Sequence, residues 1–325
     1  MSSSRRWRCA QEDHVRDTVT GTLGLILAFT FVAQASRAYG VSNYKCKNSA
    51  CDITAIGHRN LSGSRGVGNW YSTEKEKELG NKYAAEVEQR VDIVKDAAIT
   101  GYVDLVTQRI AQNSDADMPV AVRVIRTNDS GAFTLFGGHI YLTTGLLLRL
   151  KSEGELASIL ARGIAHTALH SVGRLQTRAA LMEAASIPSI RSSAIDIVPA
   201  DNEIAILGSL KFRRLFEFDA DYFGIQYLYK AGYDTSCFLN AVQSLWQPEP
   251  TRTLPKAFNP FPPLADRLKV LHQEIDDILP ERPQAIVSSS EFDQFIGRLR
   301  EIAPPQTAAE KNALPQLIRH DSSSE

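Results

Sequence analysis

The stretch ELASILARGIAHTALHSV, residues 155–172, is the most informative part of the chain. Its leucines and isoleucines recur at steps of three and four residues, which predicts an amphipathic helix with a small-residue centre. Arg162, His166 and His170 are spaced four apart, so they share one face of that helix.

A second apolar stretch, LFEFDADYFGIQYL, occupies residues 215–228. Glu217 and Asp221 are also four apart and share a helix face for the same reason. Polar faces on apolar helices are costly unless they meet each other, a metal or water. The sequence therefore predicts that the two polar faces lie against one another.

The pattern ELAxxLAxxIAH, followed about fifty residues later by ExxAD, resembles the HtpX, BepA and CAAX-prenyl-protease family of zinc metalloendopeptidases, which are of the gluzincin type. The resemblance covers roughly residues 72–302. It implies an α+β fold: a mostly helical, zincin-like core with a small mixed or antiparallel sheet. It also implies zinc as the cofactor and polypeptide as the partner.

In that family the first helix carries HExxH, in which two histidines bind zinc and the glutamate activates a water molecule. By the resemblance, His166 and Glu217 keep ligand positions, and Asp221 keeps the position of an aspartate that orients a ligand histidine. Arg162 replaces the first histidine and Gly163 the general base. An arginine has no free lone pair for a metal, so the resemblance leaves zinc binding and hydrolysis in question.

Two further segments resemble the family. Residues 132–150, AFTLFGGHIYLTTGLLLRL, predict a short strand, a glycine turn, a strand and a helix; the second strand is expected to form the edge of the cleft, where an extended peptide can add. His139 lies beside this edge. In a later proline-rich segment Arg267 is retained, while Phe261 replaces a histidine; both are expected at the cleft.

Three arrangements of the polar residues are compatible with the sequence. Arg162 can replace the metal by pairing with Glu217 and Asp221, which we favour. Arg162 can instead reach solvent, leaving the two acids hydrated. Finally, His166, His170 and Glu217 can form a shifted zinc site, although Thr167 would then occupy the position of the general base.

The first 38 residues read as an export leader. Arg5, Arg6 and Arg8 lead toward the apolar run GTLGLILAFTFVA, and small residues suited to cleavage follow it. An uncleaved membrane anchor and a cytosolic protein are the alternatives, but the run is shorter than the roughly 20 residues that a span needs. Glu12, Asp13 and Asp17 also lie in the leader and make it unusually long. A start codon assigned too far upstream would explain this length. We expect an exported, periplasmic or cell-envelope protein without a membrane span after cleavage.

The remaining segments are described by their composition. Residues 39–71 are predicted to be a linker, in which Cys46 and Cys51 either close a disulfide loop or are separate thiols. Residues 72–302 form the metallopeptidase-like domain, and residues 303–325 are predicted to be a disordered tail. The formal net charge of −1 in 325 residues gives no electrostatic reason to expect nucleic-acid binding.

Two functions follow from these patterns. The favoured one is a noncatalytic member of the peptidase family that binds extended or unfolded polypeptide, or assists envelope quality control. The alternative is an active zinc metalloendopeptidase that uses the shifted site. A purely structural role as a subunit of a complex is neither supported nor excluded.

Overall fold

The computed structural model describes residues 51–61, 68–185, 203–244 and 262–302. The predicted leader, Cys46, Phe261 and the predicted tail lie outside the described residues. The helices are α1 (Thr73–Glu88), α2 (Ala97–Ala111), α3 (Thr144–Leu147), α4 (Glu153–Ala168), α5 (Ser171–Ala185), α6 (Glu203–Lys230), α7 (Thr235–Ser244), α8 (Leu264–Ile278) and α9 (Ser290–Ile302). The strands are β1 (Ala121–Ile125), β2 (Ala132–Thr134) and β3 (His139–Thr143).

The motif helix α4 has well-defined ends. At its start the Ser152 side chain accepts a hydrogen bond from the Glu155 amide, and glutamates in the first turn complement the positive end of the helix dipole. At its end, His170 adopts a positive φ of 49°. The chain therefore turns there and begins α5, where the sequence predicted a continuous helix.

The three strands form a small mixed sheet in the order β1-β3-β2. β1 pairs with β3 in parallel, and β2 pairs with β3 in antiparallel orientation. Together with the helices this confirms the predicted α+β class. The expectation that an extended peptide adds to the strand after the glycine turn does not fit the topology, because β3 already pairs with a strand on each side. Among the described strands, β2 supplies the outer edge next to it.

The sheet lies between two helices. Ile140 of β3 is buried and faces Gly163 of α4. Tyr141 faces the other side, where it clusters with Ala84 and Val87 of α1. This alternation follows from the two-residue repeat of a strand. It fixes α4, and therefore the motif, against one face of the sheet.

Residues 51–61 differ from the expected linker. Cys51, Ile56 and Leu61 are buried, and so is the Arg59 side chain. The Cys51 thiol lies 3.6 Å from the Tyr222 hydroxyl of α6. This segment is thus packed into the domain that it was expected to precede.

Near the carboxyl end of the described chain, the sequence AIVSS at residues 285–289 predicts a strand, but the structure has only a single bridge there, between Ile286 and Tyr233. The sequence SEFDQFIGRLREI predicts a helix, and α9 covers the same residues, Ser290–Ile302. None of the helices in the described ranges is both long enough and apolar enough to cross a membrane.

Candidate functional site

The site forms where α4 crosses α6. A Cβ atom added to Gly224 of α6 would lie 3.2 Å from the Arg162 Cα atom, so the two helix backbones approach closely there. Asp221 and Glu217 precede Gly224 by three and seven residues and share its face of α6. The crossing therefore brings Arg162 beside both acids.

The exposed part of α4 is confined to this site. All residues of α4 are buried except Arg162 and His166, which lie one turn apart on the same face. The Arg162 and Glu217 side chains are 12% and 18% exposed. The polar residues singled out in the sequence are thus partly accessible to solvent at this helix crossing.

Two arginines and two acids form a cluster of ion pairs, which we call the Arg–Asp cluster: Arg162, Glu217, Asp221 and Arg267. Arg162 contacts the Glu217 carboxylate and donates from Nε to Asp221 Oδ1 over 3.0 Å. Arg267 donates to Asp221 through Nε over 2.6 Å and through Nη2 over 2.8 Å. The formal charges of the cluster balance.

Asp221 is ionised although it is 1% exposed. Burial raises the pKa of Asp221, but the charges and hydrogen bonds of Arg267 and Arg162 lower it by a larger amount. The net shift of the pKa is therefore downward. Burial lowers the pKa of Arg162 to about 10, with Asp221 acting in the opposite direction. Both groups are therefore charged at neutral pH.

His166 is neutral in this setting. Burial and the Arg162 charge lower its pKa to about 3. Both oxygens of Asp221 are engaged by guanidinium groups. Asp221 thus pairs with arginines in the position where the family resemblance implies that it orients a histidine ligand.

The position of the general base is packed against the sheet. A Cβ atom at Gly163 would lie 2.8 Å from Ile140 Cδ1, which is closer than packed carbon atoms normally approach. Any side chain at residue 163 thus requires Ile140 to move. Gly163 leaves this position without a proton acceptor.

The residues present do not fit a catalytic zinc ion. Such a site needs three protein ligands; here one ligand position is a guanidinium, and the retained Glu217 is paired with that guanidinium. Across the described residues, no group of three or more His, Cys, Asp or Glu residues is arranged to hold a metal.

His170 does not join His166 and Glu217. Its Nδ1 lies 3.0 Å from Glu76 Oε2 and its Nε2 lies 3.3 Å from Asp117 Oδ2. Both ring nitrogens therefore face carboxylates other than Glu217, and the geometry does not assemble the shifted site.

The other residues predicted at or beside the cleft are Arg267, Phe261 and His139. Arg267 is 2% exposed and lies behind Asp221, so it supports the cleft from inside and does not line it. Phe261 lies outside the described residues. His139 is partly buried beside α1, with its Nε2 atom 3.1 Å from Asn81 Oδ1.

Sequence reasoning missed Gly224 and Ile140 as parts of the site. A glycine inside a helix costs about 1 kcal/mol relative to alanine, so Gly224 offered a signal of close packing. Ile140 offered none, because an isoleucine in a strand is the ordinary choice.

Comparisons with known proteins identify the family of the chain. The sequence profile of peptidase family M48 matches residues 97–275, which is more than half of the chain. A Vibrio cholerae protein whose name refers to beta-barrel assembly is 29% identical over 181 residues, covering 52% of this chain and 37% of that protein.

Two more relatives show the same partial coverage. The beta-barrel assembly-enhancing protease of Yersinia pestis is 25% identical over 190 residues, 55% of this chain and 39% of that protein. The mitochondrial metalloendopeptidase OMA1 of Schizosaccharomyces pombe is 30% identical over 152 residues, 46% of this chain and 43% of that protein. The chain thus matches less than half the length of each relative. The profile match and the retained motif residues together show that the chain belongs to peptidase family M48.

Proposed function

We propose that this M48 family member is an exported, noncatalytic protein that binds extended polypeptide in the cell envelope. The observation that carries the proposal is the position of Arg162. Its guanidinium contacts Glu217 and Asp221 at the place where the family has a zinc-binding histidine. A permanently charged group there opposes the binding of a dication.

The chemistry of hydrolysis points the same way. Loss of a general base alone typically costs on the order of 10²–10⁴ in rate, and Gly163 supplies no base. Since Arg162 also removes a ligand, the two changes act on different requirements of the reaction. Both would have to be bypassed for efficient cleavage.

A route for polypeptide binding is available at β2. Gly131 and Leu135 flank β2 and hydrogen-bond toward β3 over 3.0 and 2.8 Å. By the alternation of an antiparallel ladder, the backbone groups of Ala132 and Thr134 point away from β3. An extended segment can pair with such groups by strand addition. This assigns to β2 the role that the sequence had suggested for β3.

Location in the envelope is supported by the leader-like start of the sequence and by relatives whose names refer to beta-barrel assembly. Those names describe proteins of which this chain matches only a part. We therefore propose only the class of the bound molecule, which is unfolded or extended polypeptide.

The test combines metal analysis with binding and cleavage of unfolded casein. We expect purified protein to lack stoichiometric zinc, to leave casein uncut and to bind labelled casein. Ala132→Pro should weaken binding, because proline removes the outward N–H group while sparing the bonds to β3. Ala132→Val keeps that N–H group and serves as the matched control.

The triple variant Arg162→His/Gly163→Glu/Ile140→Ala, in which the shortened residue 140 makes room for the new glutamate, provides a second comparison for metal content and cleavage. Stoichiometric zinc in the native protein, together with casein cleavage as fast as that of the triple variant, would show that the protein is an active metallopeptidase. Loss of casein binding in Ala132→Val to the same extent as in Ala132→Pro would instead exclude β2 as the binding edge.

A further inference from the structure

His170 occupies an unusual position at the break between α4 and α5. It is the one non-glycine residue with a positive φ among the residues that the structure describes, and it is only 4% exposed. A left-handed conformation is unfavourable for a residue with a Cβ atom unless its surroundings hold it. The contacts of the imidazole ring stabilise this backbone conformation.

Both ring nitrogens face carboxylates. Nδ1 lies 3.0 Å from Glu76 Oε2 on α1, and Nε2 lies 3.3 Å from Asp117 Oδ2 in the loop between α2 and β1. An ionised carboxylate only accepts hydrogen bonds, and a neutral imidazole has a single N–H donor. Only the protonated ring can donate to both acids at once.

Glu76 has little freedom to turn away from the ring. It is 3% exposed, and its Oε1 atom accepts a hydrogen bond from Asn69 Nδ2 over 2.5 Å. A Cβ atom at Gly173 of α5 would lie 2.2 Å from the same oxygen, so a glycine is required beside it. The carboxylate is thus enclosed by α1, α5 and the segment before α1.

The contact between His170 and Glu76 joins parts of the fold that are distant in sequence. α1 also packs on the Phe136–Gly138 turn between β2 and β3, where a Cβ atom at Gly80 would lie 2.3 Å from the Phe136 carbonyl oxygen. The first turn of α1 is therefore held at the α4–α5 break, and its middle lies over the turn that leads into β3.

We propose that His170 is a proton-dependent clamp, which docks the first turn of α1 at the α4–α5 break when the ring is protonated and loosens that contact when the ring loses its proton. The inference does not depend on the proposed function. It concerns how firmly α1 and the segment before it are held.

The charges around the ring set the direction of the effect. Burial lowers the pKa of His170, but the hydrogen bonds and charges of Glu76 and Asp117 outweigh it, so the pKa is raised from 6.5. The clamp is therefore complete below pH 6.5 and is lost as pH rises through the raised folded-state pKa.

A second histidine lies on the α1–sheet interface. His139 has a lowered pKa because of burial and the charge of Arg123, with Glu88 acting oppositely. Its titration therefore falls on the acidic side of 6.5, which separates it from that of His170.

Trp70 offers a local probe, because it adjoins Asn69 and its amide donates to Thr177 of α5 over 3.0 Å. The full chain carrying Trp7→Phe and Trp246→Phe keeps Trp70 as its single tryptophan. Its fluorescence should titrate with a midpoint above pH 6.5. Asp117→Asn should lower that midpoint, since it removes one of the two facing charges, whereas His139→Gln should leave it unchanged.

His170→Asn completes the set, because asparagine tolerates the left-handed backbone and has no titrating ring. The transition of Trp70 should disappear in this variant. Because the Asp117 side chain is half-exposed, we expect Asp117→Asn to fold. Its shift in the Trp70 midpoint therefore tests the clamp even if His170→Asn does not fold. A flat Trp70 signal in the parent, a transition that survives in His170→Asn, or a midpoint unaffected by Asp117→Asn would each overturn the clamp.

Discussion

Arg162 and Arg267 share the carboxylate of Asp221, and these two ion pairs account for the burial of this acid without a metal. A buried acid is strongly destabilising without a partner, and Asp221 is 1% exposed. With two guanidinium groups around it, the acid is satisfied without a histidine or a metal. The retained acids therefore have a structural role that is independent of hydrolysis.

The contact between Gly163 and Ile140 gives a test at single-atom resolution. Gly163→Ala should destabilise the protein by about 1–3 kcal/mol, because the added methyl group overpacks the site and exceeds the helix-propensity gain of about 1 kcal/mol. Ile140→Val removes the Cδ1 atom that lies 2.8 Å away. The cost of Gly163→Ala should therefore be smaller in the Ile140→Val background, as measured by denaturant unfolding in a double-mutant cycle.

Gly101→Ala serves as a control for this cycle. Gly101 lies in α2, and a Cβ atom there would meet no atom within 4 Å, so alanine should be neutral or stabilising. Additive effects of Gly163→Ala and Ile140→Val would contradict the proposed contact.

The spacing of polar residues predicted which side chains meet, but not how closely their backbones approach. Arg162, Glu217 and Asp221 could be placed together because four-residue steps fix a helix face. His170 shares that spacing, yet α4 ends before it, and its ring turns toward Glu76. No proline or glycine marks this break, so sequence periodicity alone could not reveal it.

The buried acid Glu153 connects the start of α4 to three other parts of the fold. Glu153 accepts hydrogen bonds from the hydroxyl groups of Tyr102, Tyr233 and Ser289 and pairs with Arg109 over 3.2 Å. These residues come from α2, from the turn after α6 and from the segment before α9. The motif helix is thereby fixed at the end opposite to His170.

Glu153→Gln tests this anchor through its pH dependence. Burial raises the pKa of Glu153, but hydrogen bonds from Ser289, Tyr233 and Tyr102 lower it by a larger amount, so the net shift of the pKa is downward. The ionised group therefore stabilises the fold above the unfolded-state value of 4.5, and this contribution is lost as pH falls through the folded-state pKa. Near neutral pH we expect a loss of about 1–3 kcal/mol in the variant.

Thermal unfolding of both proteins between pH 3 and 8 provides the measurement. The difference in melting temperature between the native protein and Glu153→Gln should shrink as pH falls below 4.5. Glu301→Gln on the exposed end of α9 should leave the melting temperature nearly unchanged. A constant difference for Glu153→Gln at all pH values would exclude the ionised anchor.

Helices were easier to predict than strand order. The bounds of α9 and the strand–turn–strand pattern of β2 and β3 follow from local spacing and glycine turns. The central position of β3 depends on its parallel pairing with β1, which is set by packing between distant segments and leaves no local pattern. The family resemblance therefore placed the addition of an extended peptide at β3, which has no free edge in this sheet.

The segment at residues 51–61 is joined to the helical core by a buried polar network. Arg59 donates to Asp115 over 2.6 Å and to Gln226 over 2.7 Å, and Gln226 donates to Glu274 of α8 over 2.7 Å. The Tyr227 hydroxyl also donates to Asp115. A segment rich in polar residues thus becomes part of the core because its arginine has buried partners.

Replacing Arg59 should have a large effect on global stability. The Arg59 and Asp115 side chains are 1% and 0% exposed, and Arg59→Met leaves the buried Asp115 without its ion-pair partner. We expect a loss of about 3–5 kcal/mol, measured by denaturant unfolding near neutral pH. A loss below about 1 kcal/mol, which is typical of an exposed pair, would show that the segment is not held by this contact.

Glu274→Gln is the matched comparison within the same network. Burial raises the pKa of Glu274 well above 4.5, against the lowering effects of Gln226 and Arg59, so its stabilising contribution is lost as pH rises through the folded-state pKa. The amide keeps the shape of the acid without this titration. Glu274→Gln should therefore gain stability relative to the native protein as pH increases.

The packing of Ile140 onto Gly163 also bears on ancestry and reversal. Histidine at residue 162 alone would restore one ligand but no base, and it would remove a guanidinium from Glu217. Glutamate at residue 163 alone would collide with the sheet. Under the proposed noncatalytic function, a lineage derived from this protein would regain hydrolysis only by several substitutions made together, because each single substitution disturbs the charge pairing or the packing, and the proposed loss of activity would act as an evolutionary ratchet.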